Sequence, residues 1–190
     1  MQNVFIIHGV SGSPDENWFP WLKGELEKLE CKVIIPQFPT PADHSLKAWM
    51  NVLDGYKNFI NENTIFVGHS LGVAFILHVL EKYKAKAVFL VEGFVGKQDN
   101  KYGQYTKYMA DQIFYWKIIK NNCNNFYIFQ SDNDVFVPIE KGQELQNNLN
   151  GEYFLIKNGG HLNGEAGYKE FELLLENIKL NIPPLKGRDN

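Results

Sequence analysis

The sequence predicts an α/β protein, a three-layer α/β/α sandwich built on a mainly parallel sheet of six strands. Three observations carry that expectation. Short apolar runs recur along the chain, segments of helical spacing separate them, and the junction "VGHSLG" at 67–72 sets a serine where a strand should stop and a helix begin. Strands alternating with helices build βαβ units, which lay the strands parallel and cover both faces of the sheet.

Taken in order, "NVFIIHG" (3–9) is the first strand; the N-terminus is apolar for too short a run, and lacks the cationic start, to read as a secretory signal. "NWFPWLKGELEKLE" (17–30) repeats Trp18, Trp21, Leu22, Leu26 and Leu29 on one side of a helix, so the two tryptophans read as core residues. "CKVIIPQ" (31–37) is the second strand. Ser45 is placed to cap a helix carrying Leu46, Trp49, Leu53, Tyr56 and Ile60. "NTIFVGH" (63–69) is the third strand, and "GVAFILHVLEKYK" (72–84) is apolar almost all round, as a helix packed into a sheet would be. "AKAVFLVEG" (85–93), "NFYIFQSD" (125–132) and "GEYFLIKN" (151–158) supply the last three strands. "EKGQELQNNL" and "YKEFELLLENIKL" are the remaining helices, and the tyrosine-rich stretch 94–116 is expected to be helical in part. One domain over residues 1–180 follows, with a loose tail at 181–190.

Composition excludes several functions. A formal net charge of -3 gives no basic field for nucleic acid, and Arg188 is the single arginine. No apolar run approaches the ~18 residues of a membrane span. Cys31 and Cys123 form no disulfide framework, so two free thiols and a cytoplasmic location are expected. No residue cluster has metal-ligand spacing and no glycine-rich loop ends in Lys-Ser or Lys-Thr, so neither a metal nor another cofactor is implied.

The chemistry lies at the junction. A serine on so sharp a turn is forced into strained backbone, and side chains two residues to either side would collide with strand or helix. Gly68 and Gly72 remove them and leave the Ser70 hydroxyl exposed above the sheet. The short pattern recurs by chance in unrelated chains, so it needs a base and an acid. Of five histidines, His8 and His69 flank strand ends, His44 lies in a loop expected to be solvated, and His78 reads as a satisfied core residue. His161, in "KNGGHLN" directly after the last strand, can reach across the sheet's carboxyl edge. Asp132 and Asp134 follow the fifth strand; either could simply form a turn, yet both fit the chain order Ser…Asp…His of α/β-hydrolases.

With those residues in view, the chain resembles the compact serine hydrolases related to retinoblastoma-binding protein nine and their bacterial relatives. The likeness runs from Val4 to Leu180, through "FIIHGVSGSPDENWFPWLKGELE", "VIIPQFPTP", "NTIFVGHSLG", "SDNDVFVP" and "NGGHLN". It implies a strand order of 2-1-3-4-5-6 and a triad of Ser70, His161 and Asp134, the aspartate three residues before the Val-Pro pair. It also implies an oxyanion hole made by the backbone N–H groups of Val10 and Leu71. The expected activity is hydrolysis of a small acyl ester through an acyl-enzyme; the partner is that small molecule, with neither nucleic acid nor membrane, and the oligomeric state is left open. Amide or thioester hydrolysis would use the same machinery, specific proteolysis would need an extended groove, and a hydrolase fold kept as a binding protein is the alternative from another class. Phe94 and Trp116 are candidate substrate-pocket residues, with Tyr115 beside them, although aromatic residues there serve equally well as core.

Overall fold

In a computed structural model that describes residues 2–184, each of the six apolar runs forms a strand. They are β1 (Asn3–Ile7), β2 (Lys32–Ile34), β3 (Ile65–His69), β4 (Ala87–Val91), β5 (Phe126–Ser131) and β6 (Glu152–Ile156). All pairings are parallel and the order is β2-β1-β3-β4-β5-β6, as the family resemblance implied.

Period-two alternation sorts the side chains into two cores. Phe5, Ile7, Phe66, Val88, Leu90 and Ile128 point to one face. That face is covered by α2 (Leu46–Asp54), α3 (Leu71–Leu80), α5 (Trp116–Asn122) and α6 (Ile139–Leu149). Val4, Ile6, Ile65, Val67, Phe89 and Phe129 point to the other, against α1 (Phe19–Glu27) and α7 (Glu172–Lys179). All ten residues of α3 are buried, so a helix apolar all round sits where only such a helix could. Each large apolar side chain sealed there, such as Phe75, contributes roughly 2 kcal/mol by removal from water. α2 begins as expected, with the Ser45 hydroxyl accepting from the Ala48 N–H at 3.2 Å, and stops at Asp54 rather than running to Ile60. Trp18 is fully buried and Trp21 half-buried against the same core, which bears out their reading as packing residues.

The stretch 94–116 is helical in part, as expected: it holds the single turn α4 (Gly103–Thr106), is otherwise mostly irregular, and runs into the start of α5 at Trp116. One expectation needs correction. The packed chain extends past residue 180: Asn181 donates to the Tyr127 hydroxyl at 3.1 Å and Ile182 joins the second core, so the tail is not loose at its start. Residues 185–190 of that tail lie outside the described residues. Among the described residues no helix is long and apolar enough to cross a membrane.

Strand order reverses between β1 and β3, because β1 sends the chain outward to β2 and β3 sends it inward to β4. The loops after these two strands therefore diverge and open a crevice at their carboxyl ends, the usual ligand site of such sheets. The start of α3 presses against this point. A Cβ on Gly72 would lie 2.4 Å from the Ile7 carbonyl oxygen, and one on Gly68 would lie 2.7 Å from Ile76.

Gly72→Ala is therefore expected to lose at least ~2 kcal/mol of stability, because a strand carbonyl cannot swing aside like a side chain. Gly24→Ala, in α1 with nothing within 4 Å of its new methyl, should instead gain ~0.5–1 kcal/mol from helix propensity. Urea midpoints of the two variants against the parent check both signs.

Candidate active site

Ser70 stands between β3 and α3 with φ 56° and ψ −122°, a left-handed conformation unusual for any residue but glycine. Its N–H is held by the Val91 carbonyl at 2.9 Å, which anchors the turn to β4. The turn after β1 comes so close that a Cβ on Gly9 would lie 2.9 Å from the Ser70 Cβ, so glycine is needed there too. Leu71 opens α3, where the first N–H groups have no acceptor within the helix, and the positive end of the helix lies behind the serine. Val10 lines the same crevice.

Beyond the serine, His161 and Asp134 meet as a hydrogen-bonded pair across two loops. The imidazole Nδ1–H donates to the Asp134 Oδ2 at 2.6 Å, with the carboxylate side chain fully buried. Burial alone would raise the Asp134 pKa. The hydrogen bond and charge of His161, with the Phe136 N–H donating to Oδ1 at 2.8 Å, hold it below the usual carboxylate range instead. Asp132, the other acidic candidate, braces the histidine loop by accepting from the Asn158 N–H at 2.8 Å. Asn133 adds a second brace, accepting from the Gly160 N–H at 2.8 Å. Of the two aspartates, then, one pairs with the histidine and one shapes its loop.

The backbone of that loop is held from below by two ring donors. His69 Nε2–H donates to the His161 carbonyl at 2.9 Å, and Trp18 Nε1–H donates to the Leu162 carbonyl at 2.9 Å. His8 braces the turn after β1: its Nε2 accepts the Phe38 N–H at 3.1 Å, which leaves Nδ1–H to donate to the Gly9 carbonyl at 2.9 Å. That tautomer is neutral, and burial keeps the His8 pKa down. His78 is satisfied in the core by the Met109 carbonyl at 2.9 Å, as its place on α3 suggested. His44 departs from expectation. It is buried rather than solvated, its Nε2 accepts the Thr40 hydroxyl at 2.6 Å, and Thr40 in turn accepts the Ser11 N–H at 2.7 Å. The proline-rich loop thereby fixes the turn that carries Val10.

Ser70 and His161 both open onto a cavity of about 400 Å³. Its lining is partly apolar, with Val10, Phe94, Tyr102, Phe136 and Val137, and partly polar, with Glu16, Asn17, Asn163, Glu165 and Lys169. Phe94 is thus at the cavity, as anticipated. Trp116 is not: it is half-buried against Phe114, ring centroids 5.5 Å apart, on the core face of α5. Tyr115 is exposed and away from the cavity. Gln98, Asn100 and Thr106, also in the wall, escaped sequence reasoning because the irregular stretch that carries them has no period to read. Glu92, sealed at the end of β4 behind Asp134, was also missed; an acidic residue closing an otherwise apolar run was the available signal.

Comparison with known proteins places these features. The sequence model of the serine hydrolase family matches residues 4–179. The Bacillus subtilis protein YdeN is 28% identical over 179 residues, covering 92% of this chain and 93% of YdeN. The YdeN crystal structure superposes with a TM-score of 0.88 at 26% identity, over 95% of this chain and 98% of that one. Serine hydrolase RBBP9 of Rattus norvegicus is 23% identical over 182 residues, covering 94% of this chain and 95% of its own. Est1E from Butyrivibrio proteoclasticus shares the fold at a TM-score of 0.72 and 16% identity, over 95% of this chain and 88% of that one.

Burial lowers the His69 pKa from its ordinary 6.5 to about 3, with the nearby His161 adding to the effect. The folded protein thus binds that proton less tightly than the unfolded chain, and stability must fall as pH drops below about 6.5. His69→Gln keeps an N–H donor and removes the titration. On acidification the parent should lose up to ~1.4 kcal/mol per pH unit relative to this variant, read from urea midpoints between pH ~6.5 and ~4; parallel curves would count against a neutral His69.

Proposed function

The chain belongs to the serine hydrolase family, and we propose that it cleaves small acyl esters through a Ser70–His161–Asp134 triad and a covalent acyl-enzyme. The observation that carries this reading is the 2.6 Å Asp134–His161 pair sharing one crevice with a serine held in left-handed backbone.

In this mechanism the substrate carbonyl enters above Ser70. His161 takes the hydroxyl proton as the oxygen attacks, and Asp134 fixes the tautomer that leaves Nε2 free to accept it. The negative charge that develops on the carbonyl oxygen is met by the N–H groups of Leu71 and Val10, assisted by the N-terminus of α3. The proton on His161 then passes to the leaving alcohol. Water, deprotonated by the same imidazole, releases the acid and restores the serine. The burial of Asp134 serves this cycle: a carboxylate out of water interacts strongly with the imidazolium that forms at each step.

The size and wall of the cavity support a small substrate. A volume of about 400 Å³ takes a short acyl chain and a modest alcohol, and its apolar side offers Phe94, Phe136 and Val137 to the acyl group. The fold is shared with Est1E, whose structure is also known with ferulic acid bound, and with an esterase domain from a Rhodothermus marinus protein. Those likenesses agree with ester substrates and leave thioesters and amides to the same catalytic groups. Cys31 and Cys123, both buried and unpaired, fit a reducing, cytoplasmic setting.

Fluorophosphonate labelling tests the activated serine whatever the natural substrate. Wild type should label, and Ser70→Ala and His161→Ala should not. Hydrolysis of p-nitrophenyl acetate should fall by ~10⁴-fold or more in Ser70→Ala with its fold unchanged. Well-folded wild type that fails to label would shift the reading to a binding protein that retains the fold without turnover. Across a series of p-nitrophenyl esters, kcat/KM is expected to peak at short acyl chains.

A further inference from the structure

Behind the Asp134–His161 pair, on the side away from the cavity, lies a second carboxyl group that the mechanism above does not use. Glu92 directly follows β4, with no exposure to solvent and with φ 46°, a backbone conformation that few glutamates adopt. Its Oε1 accepts the Ser131 N–H at 2.6 Å, and its Oε2 accepts the Gln130 side-chain amide at 2.6 Å. One polar atom from each of Glu92, Asp134 and His161 lies within 4.8 Å of the others, which sets the two carboxyl groups side by side behind the imidazole.

Two carboxyl groups in contact and out of water cannot both be ionised; one keeps a proton and uses it to bridge the other. The surroundings decide which. Asp134 faces the imidazole, the one partner that becomes cationic during turnover, and takes a backbone N–H besides. Glu92 has only neutral donors. Around it stand Asp134 and His161 from the loops after β5 and β6, and the phenols of Tyr153 and Tyr168, both pushed to higher pKa chiefly by burial. Among the described residues no lysine or arginine pairs with it; Lys141 of α6 is taken by the Val95 carbonyl at 2.8 Å and Glu144 at 3.2 Å.

We propose that Glu92 is a positioning residue, a neutral carboxylic acid that donates its proton to Asp134 and so fixes both the direction and the charge of the Asp134–His161 pair. The assignment rests on the triad reading above. Its consequence is specific. An ionised Glu92 would set a second negative charge beside the imidazole and hold His161 protonated, which is useless in a base. A neutral Glu92 instead shares the charge of Asp134 and leaves His161 free to accept a proton at lower pH. Burial and the adjacent Asp134 carboxylate both push the Glu92 pKa up, to about 10, in keeping with this assignment.

The test combines two variants with two readouts. Glu92→Gln replaces one neutral donor by another and should keep kcat/KM within about threefold, with the acid limb of its pH profile unmoved. Glu92→Ala removes the donor. It should lose about tenfold, the worth of one hydrogen bond to a charged group, and its acid limb should move up by about half a pH unit as His161 holds its proton longer. Infrared spectroscopy of the wild type at neutral pH should show a protonated-carboxyl band that disappears in Glu92→Gln. Absence of that band, or an acid limb that moves in Glu92→Gln as it does in Glu92→Ala, would overturn the proposal. If Glu92→Ala does not fold, the glutamine variant and the infrared band still decide. An enzyme that shows the band but does not label with fluorophosphonate would sink the triad while leaving the proton on Glu92.

Discussion

Everything in the crevice depends on how closely the first turn of α3 approaches the carboxyl end of β1. With 2.4 Å between a hypothetical Gly72 methyl and the Ile7 carbonyl oxygen, the helix is as near the strand as backbone permits. That approach forces the chain to leave β3 through the left-handed conformation of Ser70, because no relaxed turn is short enough. It also brings the turn after β1 against the serine, so that the N–H groups of Val10 and Leu71 belong to two segments packed on the same residue. The strain at Ser70 is retained because the sheet on one side and a fully buried helix on the other leave the turn no room to relax.

The remaining polar groups of the site are arranged so that charge appears in one place only. His8, His69 and His44 lie buried at this edge of the sheet, and burial depresses all three pKa values. As neutral rings they act as structural hydrogen-bonding groups, at the Gly9 carbonyl, the His161 carbonyl and the Thr40 hydroxyl. A charged ring in any of these positions would compete with His161 as the counter-ion of Asp134 or oppose protonation of His161. Asp134 is held ionised by its donors, the imidazole it orients and the Phe136 N–H among them. Several kcal/mol would be needed to bury such a carboxylate alone, which is why its two acceptor oxygens are both occupied.

Much of this was legible in the sequence because it depends on local pattern. Six apolar runs became six strands, "VGHSLG" became the turn under Ser70, and the chain order of serine, aspartate and histidine brought His161 and Asp134 together. What escaped depends on distant contacts. His44 sits in a polar loop and looked solvated, yet Thr40 and the ring of Tyr105, centroids 5.2 Å away, enclose it. Trp116 looked like a pocket residue as an aromatic of the stretch that also holds Phe94, but α5 turns it onto Phe114 and the core. The wall formed by Gln98, Asn100 and Thr106 has neither a period of two nor one of 3.6, so nothing local betrays which side chains face the cavity. Glu92 directly follows a strand whose residues are all apolar, and its role emerges only once Asp134 is placed beside it.

The central claim is that Ser70 carries the acyl group during turnover. Mixing the enzyme with an activated ester, quenching in acid within the first turnover and weighing the intact protein would show the intermediate directly. Peptide mapping would then assign it. The account predicts one added acyl mass on the peptide containing Ser70, absent from Ser70→Ala. Ester turnover with no adduct, or an adduct on any other residue, would contradict it.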